Sequence, residues 1–437
     1  MLKRKRRRNL NVLENNVQRE LQWAAYIQQL KQESIAELEM KPSMNFIQMF
    51  LDFSKECESP TSFFQWAAIS TLSAVMRDNV YVPYGPTRIY PNLYVILLAD
   101  SGAARKGLPL KMAKKFITKI DNTKVIDGRA SIQGVIEELA RVEQNGTGFI
   151  SKKDASGLFY SEEFSASLVE DPAAIKVLTD LYDFQERWKD TLRSGTLELK
   201  NVCLSLLGAS NETLLRDIFT DKAIYGGLLG RTFIIHEKKR RLKNSMMYSK
   251  ILTSDDEKPL LEHLKVLSKI KGEVKICDKA RATYDKWYNS IDDEMYSSKT
   301  GFIERVHVGV IKLATCLAAS EDKILQTKEI FIEEQHIDEA INVAFKIKKA
   351  QQILTIGQGL SASKQHLALF INILANSSRY MITHKELLRK HFTDFDVQEL
   401  ENTKLSLINA GLLMEVPIGN EAGYMLTDVA IKRILEE

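Results

Sequence analysis

Cysteine and long apolar runs are scarce in this sequence of 437 residues, and each scarcity excludes a class of protein. Its four cysteines, Cys57, Cys203, Cys277 and Cys316, lie far apart, and none has the spacing of a zinc-binding or redox motif. No stretch approaches the roughly 18 uninterrupted apolar residues that a membrane span needs. The charged N-terminal segment also lacks the apolar part of a signal peptide. We therefore expect a cytoplasmic protein with small core cysteines and no membrane partner.

Positive charge is concentrated at the N-terminus. The chain has a net charge of +4, and residues 3–8 alone carry six positive charges, so that subtracting these six leaves −2 for all other residues. Such a run can bind the phosphate backbone of nucleic acid or an acidic partner, or it can be a solvated terminus. Both readings stay open. After this run, residues 10–41 predict a polar helix with a weak apolar stripe.

Four short apolar runs predict strands of an α/β sheet: residues 92–99, 157–160, 202–208 and 231–236. Polar residues follow the first three, at the edge where parallel sheets bind ligands. The first run leads into the loop that starts at Asp100, the second is followed by Glu162 and Glu163, and the third by Asn211. The fourth run differs because its polar residue, Arg231, comes at its start.

The loop after the first strand leads directly into a predicted helix that begins near Leu108, with Pro109 in its first turn. The first N–H groups of a helix and its partial positive charge favour phosphate binding. The usual phosphate-binding motif is G-x-x-x-x-G-K-[ST]. Aligned on Lys106, this chain has Asp100 and Arg105 at the two glycine positions and Gly107 at the hydroxyl position. The motif alone therefore leaves an ordinary turn with a surface lysine as the alternative.

Residues 187–200 predict a hairpin between the second and third strands. Cations and an aromatic side chain on such a hairpin can bind a single nucleic-acid strand through backbone charge and base stacking. The candidate DNA-binding residues are Arg187, Trp188, Lys189, Arg193 and Lys200. A plain surface hairpin is the alternative.

The segment Tyr90-Pro91-Asn92-Leu93-Tyr94-Val95 and the Arg105-Lys106-Gly107 core of the loop resemble a large family of P-loop ATPases from phages, plasmids and integrated mobile elements. The resemblance implies that the loop binds ATP with Mg²⁺. Its nucleotide-binding residues would be Asp100, Ser101, Gly102, Ala103, Ala104, Arg105, Lys106, Gly107 and Leu108. The chain departs from the family pattern at Ala99, which replaces a glycine, and at Leu108, which often is a hydroxyl residue. Ser101 is the loop hydroxyl that could substitute.

From Phe46 to Ala319 the order of features is similar to that of AAA+-like helicases, including the minichromosome-maintenance type. The resemblance implies that Glu162 holds the metal, Glu163 orients the attacking water and Asn211 senses the γ-phosphate. It also implies that Arg231 is an arginine finger and that Arg305 reports the nucleotide state. The alternatives are a solvated turn for the carboxylates, a helix cap for Asn211, a carboxylate partner for Arg231 and a solvated helix end for Arg305.

The expected fold class is an α/β P-loop (AAA+-like) ATPase core with a helical N-terminal region, a helical lid and a C-terminal winged helix. Helical patterns after residue 364, including residues 397–410, are followed by two short strands at 412–416 and 423–426, which is typical of a winged helix. The predicted domains are a basic tail and polar helix (1–41), an N-terminal helical region (42–90), the ATPase core (91–260), the lid (261–356) and the winged helix (360–437).

The sequence therefore predicts an ATP-dependent DNA helicase or translocase of a phage or mobile genetic element, acting in replication in the cytoplasm of a prokaryotic host. Its expected partners are single-stranded or forked DNA, other copies of the chain in a hexamer, and replication proteins. The alternative is a nucleotide-binding initiator or loader with weak hydrolysis. A third possibility, a defence or regulatory ATPase acting on protein, has no specific sign in the sequence.

Overall fold

The protein is described here by a computed structural model that covers most of the chain after residue 44. The described residues are 45–127, 131–140, 155–165, 174–192, 195–218, 227–245, 253–291, 303–355, 367, 369–371, 373–374, 377, 380–391, 397–419, 421–428 and 430–431. The basic run, the predicted helix at 10–41 and Arg193 lie outside them. Two compact units are distinguished, one spanning Ala36–Thr355 and the other including Ile356–Glu437. The finer domain divisions at residues 90 and 260 stay predictions.

The larger unit alternates helices and strands. In chain order they are α1 (Asn45–Phe53), α2 (Thr61–Met76), β1 (Val80–Tyr84), β2 (Thr87–Ile89), β3 (Tyr94–Leu98), α3 (Gly107–Ile117), β4 (Val125–Ile126), α4 (Ile132–Ala140), β5 (Ser156–Ser161), α5 (Ala174–Tyr182), β6 (Gln185–Leu192), β7 (Gly195–Ser210), α6 (Glu212–Ile218), β8 (Thr232–His236), α7 (Ser254–Leu267), β9 (Gly272–Glu273), β10 (Lys275–Ile276), α8 (Asp278–Ser290), α9 (Ile303–Ala319), α10 (Lys323–Thr327), β11 (Phe331–Ile332) and α11 (Glu334–Thr355).

A parallel sheet in the order β4-β5-β7-β3-β8 forms the centre of this unit, with β6 pairing antiparallel to β7. All five residues of β3 are buried. Val95 and Leu97 belong to one apolar cluster, and Tyr94, Ile96 and Leu98 to another, because successive side chains of a strand point to opposite faces. The sheet is thus covered on both faces, which explains why its strands are almost continuously apolar and confirms the predicted α/β core.

Helix α2 is buried along nearly its whole length, from Ser62 to Met76, and Trp66 packs against Phe233 of β8 with ring centroids 5.2 Å apart. Its Ser73 hydroxyl donates to the carbonyl of Pro91 (2.8 Å) and accepts from the amide of Leu93 (3.1 Å). A core helix therefore fixes the start of β3, and with it the direction in which that strand delivers the following loop.

The order of the strands puts that loop at a special point of the sheet. After β3 the chain crosses to β4 at one edge, returns through β5 and β7, and then passes to β8 on the other side of β3. The connections from neighbouring strands therefore diverge beside the carboxyl end of β3. In open α/β sheets such a divergence opens the crevice in which ligands bind.

The predicted hairpin is present, and it continues directly into the central sheet. Arg187 pairs with Lys200 and Lys189 with Glu198, and β7 then runs on as a parallel neighbour of β5 and β3. Arg231 ends a short 3₁₀ turn, Leu229–Arg231, so the predicted fourth strand starts one residue later, at Thr232.

Three of the cysteines, Cys57, Cys203 and Cys316, are buried as expected. The expectation is wrong for Cys277, which is half-buried and accepts a hydrogen bond from the amide of Ala280 (3.4 Å) at the start of α8. Its sulfur therefore caps a helix and does not fill the core. Within the described part of the chain, no helix is long and apolar enough to cross a membrane.

The C-terminal unit contains β12 (Met381–Thr383), α12 (His384–His391), α13 (Val397–Asn409), β13 (Leu413–Ile418) and β14 (Glu421–Leu426). The two predicted strands form an antiparallel hairpin, and β12 adds a third strand beside β14. Phe370, Leu407 and Leu426 are among the buried residues of a core that lies within this unit. The three-residue β12 was not predicted because so short a run carries no periodic signal.

Candidate functional site

The loop after β3 places Lys106 at the start of helix α3. Lys106 is the N-cap residue, and its side chain makes no capping hydrogen bond to the first turn. Its ammonium group instead donates to the carbonyl oxygens of Ala99 and Asp100 (3.3 Å for the latter). Burial lowers the pKa of Lys106, while the nearby carboxylate of Asp100 opposes the shift. The first turn of α3 and a half-buried cation thus occupy the same end of the sheet.

Two residues of the loop have left-handed backbone: Gly102 with φ 73° and Arg105 with φ 53°. The conformation is ordinary for glycine but uncommon for an L-residue with a long side chain. Arg105 extends towards Glu58, with its Nε 2.9 Å from Glu58 Oε2. Glu58 was missed by sequence reasoning, since no motif contains it.

The carboxylate pair after β5 faces this helix start. Glu162 accepts a hydrogen bond from the Tyr160 hydroxyl (3.1 Å), and its Oε2 lies 3.5 Å from Lys111 Nζ on α3. A β-carbon built on Gly107 would lie 3.3 Å from the same Oε2. The first helical residue after Lys106 therefore directly adjoins Glu162. Both carboxylate side chains are exposed.

Asn211, at the end of β7, caps the next helix. Its Oδ1 accepts a hydrogen bond from the amide of Leu214 (2.8 Å), so the capping role left open by the sequence is observed. Capping uses the oxygen of the side-chain amide, and an asparagine amide also carries an NH₂ group that can donate. The cap thereby orients the amide group of Asn211.

These elements enclose one cavity of about 580 Å³. Of the nine predicted loop residues, six line it, and Asp100, Ala103 and Ala104 form the rest of the loop. The predicted site residues around the cavity are Ser101, Gly102, Arg105, Lys106, Gly107, Leu108, Glu162, Glu163 and Asn211. Glu58 and Lys111 line it as well. The three strand ends highlighted by the sequence are thus brought together.

The two predicted arginines lie elsewhere, in a second cavity of about 170 Å³. Arg231 Nη2 lies 2.8 Å from Asp183 Oδ2, and its Nη1 donates to the Gly227 carbonyl (3.3 Å). A β-carbon on Gly227 would lie 3.0 Å from Arg231 Nη1 and 3.4 Å from Arg305 Nη2. Arg231 and Arg305 therefore stand side by side. The carboxylate partner that the sequence left open for Arg231 is present.

A buried lysine lies next to this arginine pair. Lys312 on α9 is 3% exposed, donates to Asn92 Oδ1 (2.8 Å), and has its Nζ 3.8 Å from the centroid of the Tyr182 ring. Asn92 in turn donates to the carbonyls of Tyr182 (2.8 Å) and Leu204 (3.0 Å). Lys312 thereby connects α9 to the residue Asn92, just before β3, and to the C-terminal end of α5. Its sequence signal was one lysine in the apolar part of the helix, residues 308–319.

On the hairpin, Arg187, Lys189 and Lys200 are exposed, whereas Trp188 is half-buried and packs against the apolar cluster of the central sheet. Arg187 Nε lies 3.9 Å from Glu198 Oε1. The exposed face of the hairpin is therefore cationic, with part of its charge balanced by Glu198. Trp188 contributes to packing, which limits its availability for stacking.

Comparison with models of known protein families gives no match, and comparison with curated proteins gives none either. Among the described residues, no three His, Cys, Asp or Glu side chains converge to hold a metal ion.

The buried Lys312 predicts a specific pH dependence of stability. Burial lowers the pKa of Lys312 from 10.5 to about 8. Between these pH values the unfolded chain holds the proton and the folded chain does not, so the free energy of unfolding rises with pH, by up to about 3 kcal/mol from this residue. We expect Lys312→Met to remove this rise in urea unfolding at pH 7.5–10. The exposed Lys269, changed to Met, serves as control; an unaltered pH profile in Lys312→Met would contradict the assignment.

Proposed function

We propose that this chain is an ATP-dependent DNA helicase or translocase of a phage or mobile genetic element, a P-loop ATPase of the AAA+-like type that acts in replication as a hexameric ring. The observation that carries the proposal is the convergence of Lys106, the Glu162-Glu163 pair and Asn211 on one cavity at the carboxyl edge of the sheet. This set contains a cation, carboxylates and a polar amide, which are the groups that phosphoryl transfer to water requires.

The phosphate chain of ATP binds at the start of α3. Arg105, Lys106 and Gly107, the first residue of the helix, all line the same cavity, and the amide of Leu108 donates to the Arg105 carbonyl (3.2 Å). Helix N-termini and cations stabilise anionic phosphate oxygens together. Lys106 exchanges its carbonyl partners, Ala99 and Asp100, for β- and γ-phosphate oxygens.

Glu162 is the metal ligand in this proposal. Mg²⁺ is usually held by one or two carboxylates together with substrate phosphates, and Glu162 Oε2 adjoins the first residue of α3, so the donors present fit such a site. When bound, Mg²⁺ neutralises charge on the phosphates. Position 107 contributes no hydroxyl, and Ser101 is the hydroxyl residue of the loop that lines the cavity.

Glu163 orients and polarises the attacking water. The NH₂ group of Asn211, whose side chain is oriented by capping the next helix, donates to that water or to the γ-phosphate. Water adds to the γ-phosphorus as the bond to the bridging oxygen of ADP breaks, and the products are ADP and inorganic phosphate. The two carboxylates thus divide the work of holding the metal and positioning water.

Arg231 completes the site of a neighbouring subunit, and Arg305 reports the nucleotide state. They stand beside each other around Gly227 and do not line the cavity of Lys106. A cation that acts on phosphate from outside its own cavity must come from an adjacent chain, as arginine fingers do. Asp183 holds Arg231 in place within its own subunit.

The exposed cations of the hairpin, Arg187, Lys189 and Lys200, bind the phosphate backbone of single-stranded DNA in the ring's pore. The C-terminal unit is a winged-helix domain and a weaker candidate for DNA binding. Its Lys385 lies 3.5 Å from Glu421, and its Lys390 lies 2.5 Å from Glu386, which reduces the cationic character of this unit. The hairpin is therefore the preferred contact.

A nucleotide-binding initiator or loader with weak hydrolysis is the second candidate. The observation that favours it is the glycine at position 107, where the usual motif supplies a metal-binding hydroxyl. The two candidates differ in turnover and in strand displacement.

Steady-state ATP hydrolysis with and without single-stranded DNA tests the proposal. We expect DNA to stimulate hydrolysis by the native chain and the chain to separate a forked duplex. Lys106→Ala should weaken ATP binding at least about tenfold and abolish hydrolysis, because it removes a charged donor to phosphate. Lys269→Ala, at an exposed lysine, is the control and should behave as the native chain.

Hydrolysis that survives Lys106→Ala would remove the loop from the site. Hydrolysis without DNA stimulation or strand displacement would favour the initiator or loader.

A hydroxyl at position 107 should improve metal-dependent turnover. A β-carbon at position 107 lies about 3.3 Å from Glu162 Oε2. The hydroxyl of Gly107→Ser can therefore join the Glu162 carboxylate as a metal ligand. We expect half-maximal hydrolysis at a lower Mg²⁺ concentration. Gly107→Ala adds the same carbon without the oxygen and is the matched control; equal Mg²⁺ dependence of the two variants would argue against metal binding next to Glu162.

Mixed rings test the role of Arg231. Lys106→Ala subunits have an intact Arg231 but no functional phosphate-binding loop. Arg231→Ala subunits have an intact loop but no arginine finger. Each should be inactive alone, and mixing them should restore part of the hydrolysis because some interfaces combine both intact elements. Failure to restore activity, in mixtures shown to assemble by sedimentation, would place Arg231 outside the neighbour's site.

A further inference from the structure

Arg105 has a backbone conformation that its side chain disfavours. Its φ of 53° is left-handed, and the residue stands immediately before Lys106, where the usual phosphate-binding motif has glycine. Non-glycine residues persist in this region only where the surroundings over-determine them, and such residues cluster at functional sites. The loop therefore has a left-handed residue at the position before Lys106, where the usual motif has glycine.

Two residues that precede α2 contact Arg105 at two separate points. The hydroxyl of Ser59 donates to the backbone carbonyl of Arg105 (2.9 Å), and the Arg105 Nε donates to Glu58 Oε2 (2.9 Å). The first contact fixes the orientation of the peptide group that joins Arg105 to Lys106. The second fixes the side chain. Together they restrain both ends of the strained residue.

Glu58 is itself held firmly. Its Oε1 accepts from Arg240 Nη1 (2.9 Å) and from the amide of Asn244 (3.1 Å), and its carbonyl accepts from the amide of Arg241 (3.0 Å). The residue is only 9% exposed. The hydrogen bond from Arg105 is the largest of the effects that lower the pKa of Glu58, so the carboxylate is ionised at neutral pH.

The segment after β8 also reaches the loop directly, because the amide of Arg240 donates to the Ala103 carbonyl (3.1 Å). Two stretches of chain that are distant in sequence therefore contact the loop: Glu58 with Ser59, and the stretch from Arg240 to Asn244. The Arg105 carbonyl also accepts from the amide of Leu108 (3.2 Å), so these long-range contacts add to a local hydrogen bond at the helix start.

We propose that Glu58 and Ser59 are positioning residues for ATP binding, which hold Arg105 in the conformation normally reserved for glycine and thereby keep Lys106 directed at the phosphate site. The role rests on the proposed function, since it assumes that the loop binds ATP. Neither residue needs to touch the nucleotide, because each acts through Arg105.

The test compares the double variant Glu58→Gln/Ser59→Ala with and without Arg105→Gly. Glycine adopts the left-handed conformation without strain, so it makes the two contacts dispensable. We expect the double variant to weaken ATP binding about tenfold where Arg105 is retained, and less than about twofold in the Arg105→Gly background. Titration calorimetry measures the ATP affinities of four proteins: the native chain, the double variant, Arg105→Gly, and the protein with all three substitutions. Thermal unfolding of the same four proteins gives a second double-mutant cycle, for stability.

Ser54→Ala is the matched control, because Ser54 is a buried serine of the same region whose hydroxyl donates to Leu51 and not to the loop. It should bind ATP as the native chain does. Native affinity in the double variant, or an equal loss in both backgrounds, would overturn the proposal. Coupling seen in thermal unfolding but not in ATP affinity would overturn it too, since the contacts would then stabilise the fold only.

A native chain that binds no ATP would remove the proposed function and this role with it. The thermal cycle would in that event still report whether Glu58 and Ser59 restrain Arg105, so the two failures are distinguishable.

Discussion

The burial of β3 on both faces is the constraint on which the rest of the larger unit depends. Its residues alternate between two apolar clusters, so neither face can accept an unpaired charge without a large desolvation cost. Polar groups therefore collect where the strands end. The divergence of the connections at β3 then provides room for them, and the cavity that contains Lys106, Glu162 and Asn211 lies at this edge.

Cations and carboxylates line the cavity at this edge in equal number: Arg105, Lys106 and Lys111, and Glu58, Glu162 and Glu163. Glu58 offers one negative charge to both Arg105 and Arg240, and Lys106 is held by carbonyl oxygens. Carbonyl dipoles hold an ammonium group without cancelling its charge. An incoming phosphate chain thus meets cations that are already oriented, and preorganisation of this kind reduces the free energy lost on binding.

Local sequence patterns predicted much of this arrangement, because they report burial within a few residues. The apolar runs located β3, β5, β7 and β8, and the residues that follow three of them line the same cavity. Contacts between distant residues left no such signal. Glu58 and Arg105 are 47 residues apart, and Glu58 and Arg240 are 182 apart. The proximity of Arg231 to Arg305 is equally a product of tertiary packing, and the roles assigned to these residues stay predictions.

The length of β7 has a mechanical consequence. Its 16 residues span roughly 50 Å, from the hairpin to the residue before Asn211. Asn201, which has a φ of 50°, lies next to Val202, the last residue of β7 that pairs with β6 before the strand enters the central sheet. The hairpin is therefore one end of a single strand whose other end adjoins the site, and Asn201 is a left-handed residue between the two. Under the proposed function, a load that single-stranded DNA places on the hairpin would reach the edge that holds Lys106 and Glu162 along this one hydrogen-bonded strand.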